Sequence, residues 1–377
     1  MEFPYARLRR RPDVEAANLQ AHDATDLLLV ERALASGIPG AEVAVVGDAY
    51  GAITLPLVAA GLSGIRVHQD LATGRRALDL NAAELGLSGF APHELDAELL
   101  AGARLVLLQL PKSLAELEEI ADAVARWAAP DVVLVAGGRV KHMTLAQNDV
   151  VGRRFAAVQP QRAERKSRLV VASGPRDAEG EPPFPVMQRH DGLTLVAHGG
   201  AFAGAKLDIG TRVLLDVLDR ERAAWAAEPG GSTAQTVVDL GCGTGALAVS
   251  YALAHPDARV IATDRSAAAV ASARATAAAN GVADRIEVMH DDAASALADG
   301  IADVVLLNPP FHLGASVHTG AATRLFDAAA RILRPGGELF TVYNSSLGYR
   351  AELTRLVGPT EQLHRTSKFT VTRSIRR

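Results

Sequence analysis

The residues best equipped for chemistry in this chain are Asn308-Pro309-Pro310-Phe311, which follow the apolar run Val304-Val305-Leu306-Leu307. An exocyclic amine on a planar ring is a poor nucleophile because its lone pair is delocalised into the π system. If the Asn308 side-chain oxygen and the Pro309 main-chain carbonyl accept the amine's two hydrogens, they favour a pyramidal nitrogen and stabilise the positive charge that develops there. Proline rings restrict the backbone and hold that carbonyl in one direction. Phe311 can stack on the planar group, a contact worth about 1–3 kcal/mol when the partner is a base. No strong general base is required, since the nitrogen becomes acidic as it gains charge. His312, the next residue, is read as a surface or hinge histidine.

A second cluster names the reagent. Asp239-Leu240-Gly241-Cys242-Gly243-Thr244-Gly245 is a strand end, a glycine turn and a helix start. Gly241, Gly243 and Gly245 allow positive φ and close approach of a ligand to the main chain. Dinucleotide-binding folds use similar turns. Asp239, however, suits the ammonium of a methionine moiety and would repel a pyrophosphate. Asp264, at the end of the next strand, is placed to accept both ribose hydroxyls, and Asp292, after the third, to accept an adenine amine. These carboxylates at successive strand ends point to S-adenosylmethionine. In-line attack on its sulfonium methyl is chiefly a matter of positioning, which can lower a barrier by about 7–11 kcal/mol.

Positioning these groups takes alternating strands and helices. Strands are expected at Thr236 to Leu240, Arg259 to Asp264, Arg285 to His290, Asp303 to Leu307 and Gly337 to Tyr343. Helices are expected at Thr244 to Ala254, Ser266 to Ala279 and Ala321 to Leu333. Such alternation implies a parallel sheet covered on both faces. Glu361 to Thr366 and Phe369 to Ser374 should close it as an antiparallel hairpin.

The N-terminal half repeats the plan without the chemistry. Val43 to Gly51 lies over the stretch ending at Gly245, with Gly51 matching Gly245. Nineteen residues beyond each of these glycines stands an aspartate, Asp70 and Asp264. Leu105 to Leu108 with Gln109-Leu110-Pro111-Lys112 takes the place of Val304 to Phe311. Between the halves, Ser173 to Gly192 is rich in turn formers and charge. The division is residues 1–175, a linker over 176–192, and residues 193–377.

Composition narrows the class. Of 377 residues 49% are hydrophobic, enough for two cores, but only 4% are aromatic, which makes Phe311 conspicuous. No uncharged apolar run reaches the roughly 18 residues of a membrane span, and Met1 to Arg11 lacks the apolar core of a secretory signal. The single cysteine, Cys242, agrees with a reducing compartment, so a cytoplasmic location is expected and no metal or membrane partner. A net charge of −4 argues against nonspecific coating of nucleic acid. Local basic patches remain: Arg153, Arg154, Arg162, Arg165, Lys166 and Arg168; Arg365, Lys368, Arg373, Arg376 and Arg377; and Arg7 with Arg9 to Arg11.

Together these motifs resemble the bacterial two-domain ribosomal RNA guanine-N2 methyltransferases over nearly the whole chain. The likeness rests on Phe202 and Leu207-Asp208-Ile209-Gly210-Thr211, the Asp239 to Gly245 turn, Asn308 to His312, Gly336-Gly337-Glu338-Leu339 and the Lys368-Phe369 hairpin. Asp48 to Ala52, Leu110 to Leu114 and Arg165-Lys166-Ser167-Arg168 are most similar to the large-subunit enzymes, which act on guanine 1835 of 23S rRNA; a close relative acts on guanine 1207 of 16S rRNA. The resemblance implies an α/β architecture of two tandem class I (Rossmann-like) S-adenosylmethionine methyltransferase domains, the first degenerate and gripping RNA through Arg165, Lys166 and Arg168. The second would bind cofactor through Asp239, Gly241, Gly243, Gly245, Asp264 and Asp292, catalyse with Asn308, Pro309 and Phe311, and meet the base with Pro310. Its substrate would be ribosomal RNA or a ribosomal subunit. This chain departs from the pattern at Asp292, where several relatives carry asparagine, and at Tyr343-Asn344. An adenine or glutamine amine would suit the same loop, and a noncatalytic RNA-binding assembly factor the same fold.

Overall fold

The computed structural model describes residues 3–16, 18–177, 180–225, 235–310 and 319–377. The chain forms two compact units, Met1–Phe184 and Pro185–Arg377. In the first, the elements run α1 (Ala24–Ser36), β1 (Val43–Val46), α2 (Thr54–Ala59), β2 (Ile65–His68), α3 (Ala72–Leu85), β3 (Phe90–Pro92), α4 (Ala97–Leu100), β4 (Leu105–Gln109), α5 (Leu114–Trp127), β5 (Val133–Arg139), α6 (Leu145–Gly152), β6 (Phe155–Pro160) and β7 (Ser167–Pro175). The second begins with the hairpin β8 (Val186–His190) and β9 (Leu193–Ala197), which falls partly within the segment expected to be a linker. It continues with α7 (Ile209–Trp225), β10 (Thr236–Leu240), α8 (Ala246–Ala254), β11 (Arg259–Asp264), α9 (Ala267–Ala279), β12 (Ile286–His290), β13 (Ala302–Leu307), α10 (Thr319–Ile332), β14 (Leu333–Asn344), α11 (Arg350–Leu356), β15 (Thr360–Arg365) and β16 (Phe369–Ile375).

Each unit is built on a seven-stranded sheet, in the orders β3-β2-β1-β4-β5-β7-β6 and β12-β11-β10-β13-β14-β16-β15. Five strands of each are parallel and the last two antiparallel. The strands are apolar on both faces because both are covered, as parallel sheets require. In the second unit Val237, Val304 and Leu306 pack with α7, α8 and α9, while Val238, Val305 and Leu307 pack with α10 and α11. The first unit divides the same way: Val43 and Val45 face α1 to α3, and Ala44 and Val46 face α4 to α6.

Registers make the repeat quantitative and correct one equivalence. β1 pairs β4 as Val43↔Leu105 to Val46↔Leu108, and β10 pairs β13 as Val237↔Val304 to Leu240↔Leu307. Gln109 therefore stands where Asn308 stands. On the other side Val46 pairs His68 whereas Leu240 pairs Thr263, so the first unit is one residue shorter between these strands. The residue at the place of Asp264 is Gln69, not Asp70. Their bonds agree: Gln69 Oε1 accepts from Leu71 N at 3.0 Å, as Asp264 Oδ1 accepts from Ser266 N at 2.9 Å. Counting from glycine to aspartate missed the deletion because it falls in the intervening turn and helix, where nothing marks register.

The free edge of β9 is closed by a helix. Ser272, Thr276 and Asn280, on and just beyond α9, accept from the backbone N–H groups of His198, Val196 and Thr194 at 2.9, 3.0 and 3.0 Å. Among the described residues, no helix is long and apolar enough to cross a membrane, and no group of three or more His, Cys, Asp or Glu side chains could hold a metal ion.

Candidate active site

In the second unit the strand order reverses between β10 and β13, and ligands of open α/β sheets bind beyond the carboxyl ends of strands at such a point. A cavity of about 270 Å³ lies there. Its wall brings together Gly241, Gly243, Asp264, Asp292, Asn308, Pro309 and Pro310, which sequence spacing had separated by up to 69 positions. Phe311 and His312 fall outside the described residues.

The glycines divide into two kinds. Gly241 and Gly243 have φ of +78° and +55°, and a Cβ on either would meet nothing within 4 Å, so their bare backbone faces open space. Gly245 also has positive φ, +79°, but a Cβ there would stand 3.0 Å from the Ala273 Cβ and 3.1 Å from its Cα. Gly245 packs the turn against α9 and does not line the cavity.

The carboxylates divide as well. Asp264 Oδ2 accepts from Gly243 N at 2.9 Å and Oδ1 from Ser266 N at 2.9 Å, so the carboxylate that lines the cavity also braces the turn. Asp292 reaches the cavity with one oxygen ion-paired to Arg324 of α10. Asp239 is not in the wall: it is 1% exposed, and its Oδ2 accepts from Ala248 N at 2.9 Å in the first turns of α8. Burial, with Asp264 adding to it, pushes its pKa up to about 7. Asp239, expected from its place before the turn to meet a ligand ammonium, lies beneath that turn, and its Oδ1 is buried without a hydrogen-bond partner. Odd-numbered side chains of β10 point under α7 to α9, and Asp239 follows that alternation.

Asn308 is part of the wall. Its Nδ2 donates to Asp208 Oδ2 at 3.0 Å and to Thr211 Oγ1 at 2.9 Å, both at the start of α7. Its Oδ1 is buried and has no donor. Asp208 and Thr211 were quoted only as part of a resemblance, and their role was missed. The available signal was a carboxylate three residues ahead of a threonine at the entry to an amphipathic run, the pattern of a helix cap; Thr211 N does donate to Asp208 Oδ2 at 3.0 Å. Phe202, 63% exposed, and Lys206 complete the rim.

In the first unit Arg165 and Lys166 form the tip of the β6–β7 turn, with φ of 49° and 62°. Glu164 and Ser167 exchange both backbone hydrogen bonds across that tip. Two successive left-handed residues are normally Asn-Gly, and a basic pair there is strained. Arg165 pairs with Glu31 at 2.8 Å, Lys166 is exposed, and Arg168 Nε is buried without a partner. Other members of the basic patches are engaged by acids: Arg153 by Glu118, Arg154 by Asp122, Arg9 by Glu15, Arg11 by Glu84, and Arg373 by Glu221, Glu338 and Glu361.

Sheet order, glycine turn and switch-point cavity together define a methyltransferase α/β fold. The family model described as "Methyltransferase small domain" matches residues 192–373, and the one described as "RLMG N-terminal domain" matches residues 1–176. Curated proteins called ribosomal RNA large subunit methyltransferase G, from Streptomyces avermitilis and Pseudomonas aeruginosa, are each 35% identical, covering 98% of this chain and 97% of their own length. The chain belongs to the ribosomal RNA large subunit methyltransferase G family. Its fold is shared by a solved T. thermophilus 16S rRNA N2 G1207 methyltransferase in complex with AdoMet and guanosine, with a TM-score of 0.74 and 24% identity over 94% of this chain and 92% of the other.

Proposed function

We propose that this protein is an S-adenosylmethionine-dependent methyltransferase that modifies the exocyclic N2 amine of a guanine in large-subunit ribosomal RNA. The observation that carries the reading is the buried, undonated Oδ1 of Asn308 in the switch-point cavity. A polar atom buried without a partner costs about 1–3 kcal/mol, and an amine hydrogen removes that cost.

The residues present fit the cofactor. The bare backbone at Gly241 and Gly243 leaves room for a ligand against the turn, and the Asp264 carboxylate lines the same cavity, an acceptor by its chemistry for a diol. When bound, S-adenosylmethionine supplies a methyl group on a positively charged sulfur, an electrophile that needs no metal. Asn308 accepts one hydrogen of the guanine amine and the Pro309 carbonyl the other, which directs the nitrogen lone pair at the methyl carbon. An amine so oriented would take the methyl group from the sulfonium, leaving a neutral thioether, and would release its proton to water. The cation that develops on nitrogen is stabilised by these acceptors. Phe311, outside the described residues, is assigned the stacking role on its ring chemistry alone, and the guanine leaves its helical stack to reach the site, at a cost of a few kcal/mol.

The first unit grips RNA through Arg165, Lys166 and Arg168. The strained basic turn and the unpartnered Arg168 Nε support this role, because backbone strain is retained where it serves a site. The protein acts in the cytoplasm, where ribosomal RNA is made and assembled.

The test is to incubate the full chain with methyl-labelled S-adenosylmethionine and deproteinised 23S rRNA, 16S rRNA or intact subunits, then to map the labelled base. Label on guanine 1835 of 23S rRNA is expected. Label confined to 16S rRNA, to adenine or to protein would overturn the assignment.

A further inference from the structure

A side-chain amide presents either an acceptor or a donor, and which end of Asn308 faces the cavity decides what the loop can recognise. Groups at the start of α7 hold its nitrogen end. Asp208 Oδ2 accepts from Asn308 Nδ2 at 3.0 Å, and an ionised carboxylate has no hydrogen to offer in return. Thr211 Oγ1 lies 3.5 Å from the same carboxylate oxygen and accepts from Asn308 Nδ2 at 2.9 Å. Turning the amide over would set Asn308 Oδ1 against the Asp208 carboxylate, which has no hydrogen to give. Gly210 completes the arrangement: a Cβ there would stand 3.0 Å from Asp208 Oδ2 and 3.4 Å from Asn308 Oδ1, crowding the oxygen that has to receive the substrate.

We infer that Asp208 is a positioning residue that acts through Asn308, locking its amide with the oxygen outward and thereby selecting a hydrogen-bearing amine over a carbonyl at the reacting position. The inference rests on the proposed methylation of a guanine amine. With the lock removed, a share of molecules presents the Asn308 NH₂ to the cavity, which faces the amine hydrogens with donors and would suit a ring carbonyl instead. The negative charge of Asp208 also polarises the amide, since hydrogen bonds in a chain strengthen one another.

The test is a double-mutant cycle on the full-length protein, reading single-turnover methyl transfer to deproteinised rRNA and, separately, cofactor affinity by calorimetry. Asp208→Leu is expected to slow transfer about 10–100-fold, a part of the 10²–10³-fold effect of losing one preorganised hydrogen-bonding group. Cofactor affinity should stay within about twofold, and Asp208→Asn, which still offers an acceptor oxygen, should restore most of the rate. In the Asn308→Ala background Asp208→Leu should cost nothing further, because coupled residues depart from additivity. Equal losses in both backgrounds, an unchanged rate in the single variant, or a tenfold loss of cofactor affinity would each overturn the positioning role. Should Asp208→Leu not fold, Asp208→Asn runs through the same cycle: a modest loss that vanishes without Asn308 supports the role, and a loss that persists overturns it. A wild-type protein inactive on every rRNA sinks the proposed function; an active one with additive losses sinks the positioning role alone.

Discussion

The two units hold a side-chain amide in the same place and surround it differently. In the second unit Asn308 Nδ2 is fixed by Asp208 and Thr211; in the first, Gln109 Nε2 donates to Asp26 Oδ1 at 2.5 Å, again at the start of the first long helix. Both carboxyl edges retain a crevice, that of the first unit about 330 Å³ and walled by Arg10, His22, Asp23, Asp26 and Asp48. The scaffold of the site therefore outlasts its chemistry. What the first unit has lost is local: Ala49 replaces Gly243, Gln69 replaces Asp264, and Gln109 is one methylene longer than Asn308. Its crevice is also crossed by the chain's own arm, where Arg10 lies 4.7 Å over the Tyr50 ring and Tyr50 donates to Asp13 at 2.7 Å.

The largest effect expected from breaking this contrast is at its centre. Asn308→Ala should lower the rate of methyl transfer about 10²–10³-fold with little change in cofactor affinity, whereas Gln109→Ala should leave the rate alone; both are read by single-turnover assays. Making the second unit resemble the first, Asn308→Gln moves the acceptor by about 1.5 Å, and a displacement of that order costs about 10²-fold. Next comes the cofactor. Asp264→Gln should weaken S-adenosylmethionine binding by about 1.5–3 kcal/mol, the worth of a hydrogen bond to a charged group, while Gln69→Asp should create no second binding site; calorimetric affinity and stoichiometry check both.

A loss of stability with rising pH should be common to both units. Burial raises Asp26 and Asp239 from the usual 3.8 to about 7. Between those values the folded protein holds more protons than the unfolded chain, so stability falls as pH rises from about 4 to about 7 and the loss is complete above that. Thermal unfolding across this window should show the decline, and Asp239→Asn or Asp26→Asn should flatten the share of its own unit. The smallest effect is at the basic turn. Lys166→Gly relieves a left-handed residue and should stabilise the first unit by about 1 kcal/mol, while reducing the salt dependence of RNA binding by about one charge.

The sequence carried the fold well because alternation of strands and helices is written in apolar periods, and the glycine turns and hairpin mark their ends. Gln109 was matched to Asn308 by its strand alone. The deletion before β2 was illegible, since register there is set by pairing and not by pattern, and it displaced Asp70 into the place of Gln69. At the site, residues ending strands were found because strand ends are conspicuous. Asp208 was not, because its importance is a contact with a residue 100 positions away. Asp239 was read as a ligand contact from its rank in the chain; the direction of its side chain, under α8, depends on the pleat of β10.

The closure of β9 by α9 obeys a rule of commensurate lengths. Four residues of helix advance about 6.0 Å, and two residues of strand about 6.6–6.8 Å. Positions 272, 276 and 280 can therefore meet alternate N–H groups at 198, 196 and 194 with a slippage of only about 0.6–0.8 Å per rung, within the tolerance of a flexible side chain. The slippage accumulates. After a few rungs the two rulers are a sizeable fraction of a step apart, so a helix can stand in for a neighbouring strand only over a short edge. The length of β9, five residues, lies within that limit. The same helix that measures it out also presses Ala273 against Gly245 beneath the cofactor turn.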